Sequence, residues 1–125
     1  QFQKEKAKSL KKELKASIVE KNGVHVLSEI IELDGGSIKD ILFQFKGEYP
    51  SFFGVIGGKE NDKCSLSIIA SDDLVKDKDI HAGKIIREVS KHIQGGGGGQ
   101  AFFATAGGKN PEGLTKAIEE VVAKI

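Results

Sequence analysis

The sequence contains no methionine and no tryptophan, only one tyrosine, two prolines and one cysteine. A single cysteine, Cys64, excludes a disulfide framework within the chain. It points to a reducing compartment, and the cytoplasm is the expected location. No apolar run reaches the roughly 18 residues a membrane-spanning helix needs, so no membrane partner is expected. No signal-peptide pattern is visible. The chain starts without methionine, inside a helical pattern, and reads as a piece of a longer protein. Net charge is also nearly absent, at +1.

What is present fits one compact domain of 125 residues with 38% hydrophobic side chains. Such a chain buries a core and is too apolar to be disordered. The charge is unevenly spread. Residues 1–22 carry seven lysines against three glutamates, a balance of +4, so the remainder carries −3. This asymmetry points to an anionic partner, or simply to a solvated helix face.

Apolar spacing outlines the elements. Ala7, Leu10, Leu14 and Ile18 recur at three and four residues, which predicts a lysine-rich helix over 3–20 ended by Asn22-Gly23. Residues 24–33 read as a strand, and Asp34-Gly35-Gly36 as a turn. Ser37 is placed to cap a helix, with Asp40 in the third position after it and Ile38, Ile41, Leu42 and Phe45 as the buried stripe. Residues 52–57 and 64–70 form an antiparallel pair, with Cys64 in the core. Ser71–Asp79 reads as a polar loop. A helix over 82–92 buries Ala82, Ile85, Ile86, Val89 and Ile93, and Ala101–Ala106 is the next strand. Asn110 caps a last helix with Pro111 in first position, its apolar face running from Leu114 to Ile125. The expected class is α/β (α+β): one layered domain, a central mixed sheet of about four strands packed by helices. Residues 1–22 are expected to link or project, and 23–125 to form the domain.

Five consecutive glycines, Gly95–Gly99, stand between a helix and a strand. Each costs about 0.5–1 kcal/mol relative to alanine in a regular element. A flexible linker is one reading. The others are that only glycine fits the backbone there, or that bare amides meet phosphate or carboxylate oxygens. No Gly-Lys-Ser/Thr follows, which excludes a Walker A loop. A helix precedes the run where a dinucleotide fingerprint needs a strand.

His81-Ala-Gly-Lys-Ile-Ile86, Gly95–Gly99 followed by Gln100, and Ala104-Thr-Ala-Gly-Gly108 together resemble the DHHA1 domain. That domain is the C-terminal module of alanyl-tRNA synthetases and is shared by DHH-type phosphoesterases and oligoribonucleases. The phosphoesterase branch typically has histidine after the glycines; the synthetase branch usually has Arg-Pro-Asp. This chain has Gln100-Ala101-Phe102, and its lysine-rich entering helix resembles the synthetase branch. The resemblance implies a parent ligase that joins alanine to tRNA(Ala) using ATP, with magnesium and zinc, none of them held by this fragment. It implies a module that contacts the tRNA outer corner, bridges aminoacylation and editing, works with other domains of the same chain, and in some members supports a homodimer. The phosphoesterase substrate-binding half and a dimerisation module remain the alternatives.

No catalytic or metal-binding set is visible. His25, His81 and His92 are scattered, and Asp72-Asp73 and Asp77-x-Asp79 read as a solvated loop. The RNA-binding candidates are Gly95, Gly96, Gly97, Gly98, Gly99 and Gln100, with Lys84, Arg87 and Lys91 on the helix leading in, Lys109 after the second glycine pair, and Lys59 in the hairpin. Phe102 and Phe103 are consecutive in the expected strand, so one should be core, and the other is either buried under a helix or open to stack on an unpaired base.

Overall fold

A computed structural model of the chain describes residues 12–21, 23–32, 35–49, 51–60, 63–77 and 79–123. The elements run α1 (12–17), β1 (Val19–Lys21), β2 (Val24–Ile31), α2 (Gly35–Glu48), β3 (Phe52–Glu60), β4 (Lys63–Ala70), α3 (Asp72–Asp77), α4 (Ala82–Val89), β5 (Gly96–Gly99), β6 (Phe103–Gly108) and α5 (Leu114–Ala123). Short 3₁₀ turns, Ser90–Ile93 and Pro111–Gly113, follow α4 and precede α5.

The strands form one six-stranded sheet in the order β1-β2-β3-β4-β6-β5. Only β2 and β3 are parallel, and a parallel pair needs a crossover, which α2 supplies. The mixed layered class is as expected, with two strands more than the sequence announces. One is β1. The helical spacing through Ile18 stops at residue 17, and the β-branched pair Ile18-Val19 leads into a strand paired to β2 around Gly23, whose φ is +82°. The other is the glycine strand itself.

Strand alternation divides the core in two. Phe53 and Val55 of β3, with Cys64, Leu66, Ile68 and Ala70 of β4, face α4 and α5. Phe52, Ile56 and Ile69 face the other way, onto the Ile38, Ile41, Leu42 and Phe45 stripe of α2 and onto Leu14 of α1, which is 2% exposed. Residues 12–21 thus add a buried leucine and an edge strand to the layered unit; residues 1–11 and 22, with Ala7 and Leu10 of the expected stripe, and Ile125 lie outside the described residues.

Three local expectations change. Helix α2 begins at Gly35, so Ser37 and Asp40 lie inside it rather than capping it. Residues 72–77 are a helix: Leu74 is buried in the core, and the Ser71 carbonyl accepts from the Leu74 and Val75 N–H groups at 3.1 and 3.2 Å. Asn110 and Pro111 take the cap and first positions, but of the 3₁₀ turn Pro111–Gly113 that runs into α5, and the Asn110 side chain makes no cap hydrogen bond there, donating instead to the His92 carbonyl at 3.2 Å.

Candidate nucleic-acid interface

The glycine run is an ordered edge strand. Among the described residues β5 pairs only with β6, in the register Gly96↔Gly107, Gly97↔Ala106, Gly98↔Thr105 and Gly99↔Ala104. Sterics explain alternate positions. A Cβ on Gly97 would lie 2.5 Å from Ala106 Cα, and one on Gly99 2.6 Å from Ala104 Cα; one on Gly95 would fall onto the Gly107 carbonyl. The other two are not forced by packing. A Cβ on Gly96 would meet nothing within 4 Å, and one on Gly98 would only touch Arg87 Nε at 3.5 Å. The expensive run therefore has a structural reason at three positions and none at Gly96 and Gly98.

Helix α4 lies along this strand. Its first turn is closed by the segment that leaves β5: Ala82 N–H donates to Ala101 O at 2.9 Å and Gly83 N–H to Gln100 O at 3.1 Å. His81 caps the helix, its Nδ1 accepting from Lys84 N–H at 3.2 Å. The first amides of α4 are thus occupied within the fold and do not form an anion site. At the far end, Gly95 N–H donates to Ser90 O at 3.1 Å. Gly83 is required at the crossing, since a Cβ there would sit 2.8 Å from Gly99 O.

Gln100 N–H donates to Phe103 O at 2.8 Å. Antiparallel alternation then joins Gly98 to Thr105 and Gly96 to Gly107 by hydrogen bonds and turns both peptide groups of Gly97 outward along the open edge. Edge groups of this kind pair with an incoming acceptor or donor.

Lys84, Arg87 and Lys91 are exposed. The spacing of three and four residues puts Lys84 and Arg87 of α4 and Lys91 of the following 3₁₀ turn on one side of this helical segment, along about 10 Å of axis. Arg87 Nε lies 3.5 Å from where a Gly98 Cβ would stand, and the backbone that carries Lys84 and Lys91 bonds to Gln100 at the start of α4 and to Gly95 through Ser90 of the following 3₁₀ turn. Lys109 is exposed at the Gly95 end, its N–H donating to Ile93 O at 2.9 Å. Lys59 stands apart: its row runs Lys59, Cys64, Gly108, which leaves roughly 14 Å, three strand spacings, between it and the glycine edge.

Residues 22–125 match the family model described as the DHHA1 domain. The chain belongs to the DHHA1 domain family. Two relatives of this DHHA1 chain are proteins named alanine–tRNA ligase: one from Christiangramia forsetii, 50% identical over 94% of this chain, and one from Parabacteroides distasonis, 48% identical over 94%. The chain spans about 13% of the length of each. In fold it is similar to the C-Ala domain of the Aquifex aeolicus alanyl-tRNA synthetase, with a TM-score of 0.75, 22% identity, and coverage of 86% of this chain and 96% of that one.

The remaining sequence candidates separate. Phe102 and Phe103 do not take opposite faces. Phe102 precedes β6 in a bend, where strand alternation does not apply, and both rings line a groove beside α2. The Lys46 ammonium lies 4.6 Å from the Phe102 ring centre and 3.8 Å from Asp72 Oδ1. Phe43 and Phe103 sit 5.1 Å apart, with Lys39 Nζ 5.9 and 5.8 Å from their centres. Sequence reading passed over Lys39, Phe43 and Lys46. Their spacing of four and three residues was the available signal: it puts them on one stripe of α2, beside the buried one.

His25 packs on Tyr49 at 4.8 Å, and His92 Nε2 meets Glu120 Oε2 at 2.6 Å, tying the turn after α4 to α5. Asp73 is held by the hydroxyls of Ser51 and Ser71, and these hydrogen bonds lower its pKa. Burial raises the pKa of the Cys64 thiol. Among the described residues no group of three His, Cys, Asp or Glu side chains could hold a metal ion, and no helix is long and apolar enough to cross a membrane.

Proposed function

We propose that this DHHA1 domain is the C-terminal, tRNA-binding module of an alanine–tRNA ligase. The observation that carries the reading is the match of 94% of this chain to one portion, about 13%, of proteins bearing that name. The bound molecule is tRNA(Ala). Its phosphates run along β5, where outward peptide groups of Gly97 and the open positions at Gly96 and Gly98 leave the backbone accessible. Lys84, Arg87, Lys91 and Lys109 neutralise them, with Gln100 at the end of the row. Lys59 is too far from this edge to share a phosphate with it.

In this role the domain performs no chemistry. It holds the outer corner of the tRNA while other domains of the parent chain, in the cytoplasm, aminoacylate and edit. ATP, magnesium and zinc belong to those domains. The phosphoesterase reading is weaker, because Gln100 stands where that branch carries histidine and neither relative bears such a name. A homodimer is compatible with tRNA binding and is tested by sedimentation.

The direct test is fluorescence anisotropy with a labelled tRNA(Ala) transcript across a salt series. Binding should weaken steeply between 50 and 200 mM salt, and each of Lys84→Ala, Arg87→Ala and Lys91→Ala should reduce the salt slope by about one. A chain that binds no tRNA at 50 mM salt, or a triple variant with the parent's slope, overturns the reading.

A further inference from the structure

The sheet face beside α2 is covered over β3 and β4, where α2 makes its contacts, and open over β6 and β5. The step between the two is a groove of about 350 Å³. One wall is Lys39 and Phe43, the floor is Phe103, and the far rim is Gly98, Gly99 and Gln100. Phe43 is 37% exposed and, apart from Val19 on the opposite edge of the sheet, is the large apolar side chain the described residues leave most open to water. Two rings at 5.1 Å with a lysine near both are an aromatic surface with a cation already beside it. The volume lies at the small end of small-molecule sites, too short for an amphipathic helix and wide enough for one planar ring system.

Resting on the tRNA reading above, we propose that this groove takes one unstacked nucleobase of the bound RNA. The base stacks on Phe43 over Phe103, and Lys39 moves from the rings to the phosphate of the same nucleotide. Charge complementarity selects this occupant over an apolar peptide. Lys39 borders one side and Arg87 the Gly98 rim, while Gln100 offers an amide that can donate to or accept from a base edge. Continuity adds to it: Gly98 and Gly99 belong both to the groove and to the strand proposed to follow the phosphates. A nucleotide whose phosphate meets the edge has its base beside the groove. Stacking on an aromatic ring tolerates any base, so the groove supplies affinity and register rather than sequence choice.

The sequence has no tryptophan, so Phe43→Trp in the 125-residue chain places the lone indole in the groove, excited apart from Tyr49 at the red edge of its absorption. Titrated with the tRNA(Ala) transcript, its emission should fall by about half or more, along the same curve as the anisotropy. Val19→Trp, on β1 at the other edge, should stay bright. Phe43→Ala should weaken binding about tenfold and leave the salt slope unchanged, since no phosphate contact is lost, and Phe43→Tyr should restore it. Thermal melts of each variant confirm folding, which an exposed position should tolerate. If the parent binds tRNA while Phe43→Trp is unquenched, or Phe43→Ala binds as the parent does, stacking is refuted and the tRNA reading stands. If the parent binds no tRNA, both fall.

Discussion

Replacing Gly97 with alanine should destabilise the domain, while the same change one residue earlier should not. The two sites share a strand, a composition and an edge position, and what separates their tolerance of a side chain is what that side chain would meet. At Gly97 the new Cβ would stand 2.5 Å from Ala106 Cα and 2.7 Å from Ala106 Cβ, against an ordinary carbon–carbon contact of about 3.5–4.0 Å. The obstruction is the backbone of β6, which has no rotamer to change, so β5 must move away by about 1 Å. That displacement strains the hydrogen-bonded pairs Gly98–Thr105 and Gly96–Gly107, four bonds worth about 1 kcal/mol each, giving a ceiling near 4 kcal/mol. Partial relaxation brings the cost to about 1–3 kcal/mol. Loss of glycine freedom in the unfolded chain offsets about 0.5–1 kcal/mol of it. At Gly96 only that last effect operates, because nothing lies within 4 Å, so Gly96→Ala should be neutral or slightly stabilising. Urea unfolding followed by far-ultraviolet circular dichroism measures both, with an unchanged denaturant slope as the sign that compactness is preserved. Equal midpoints for the two variants, or a Gly97→Ala chain as stable as the parent, would refute the steric account of the run.

Three further outcomes follow from the same geometry. The pKa of Asp73 is lowered by its Ser51 and Ser71 partners, so its contribution is complete above the unfolded carboxylate value near 4 and is lost as pH falls through the lower folded value. Asp73→Asn should therefore cost about 1–2 kcal/mol at pH 7 and flatten the acid limb of stability measured below pH 4; an unchanged acid limb would contradict this. Cys64 is 5% exposed and burial raises its pKa, so at pH 8 a disulfide reagent should label it only after denaturant is added, and full labelling of the native chain within minutes would show the strand to be open. His92→Ala and Glu120→Ala should be non-additive in a double-mutant cycle, with a coupling of about 0.5–1 kcal/mol; zero coupling would mean that the 2.6 Å contact does not hold α5.

Much of this protein was decided by its sequence alone. The stripe Ile38, Ile41, Leu42 and Phe45 and the stripe Ala82, Ile85, Ile86 and Val89 are buried as their spacing requires, and Cys64 alternates into the core with Leu66, Ile68 and Ala70. Periodicity is a local property, and burial of one face follows from it. The family was legible too, because the glycine run with Ala104–Gly108 is a pattern of residue types at set spacing. What sequence could not decide was the state of those glycines. Without side chains they carry no periodicity, and whether they coil freely or pair depends on β6 and α4, which meet them only in three dimensions. The same holds for β1, for the helix at 72–77 and for the groove: Phe43, Phe102 and Phe103 lie about 60 residues apart in the chain at the widest, and only the packing of α2 beside β6 brings them to one surface. The cations were visible one by one. Their arrangement along an open edge is a consequence of α4 lying against β5, a contact permitted by the missing side chain of Gly83.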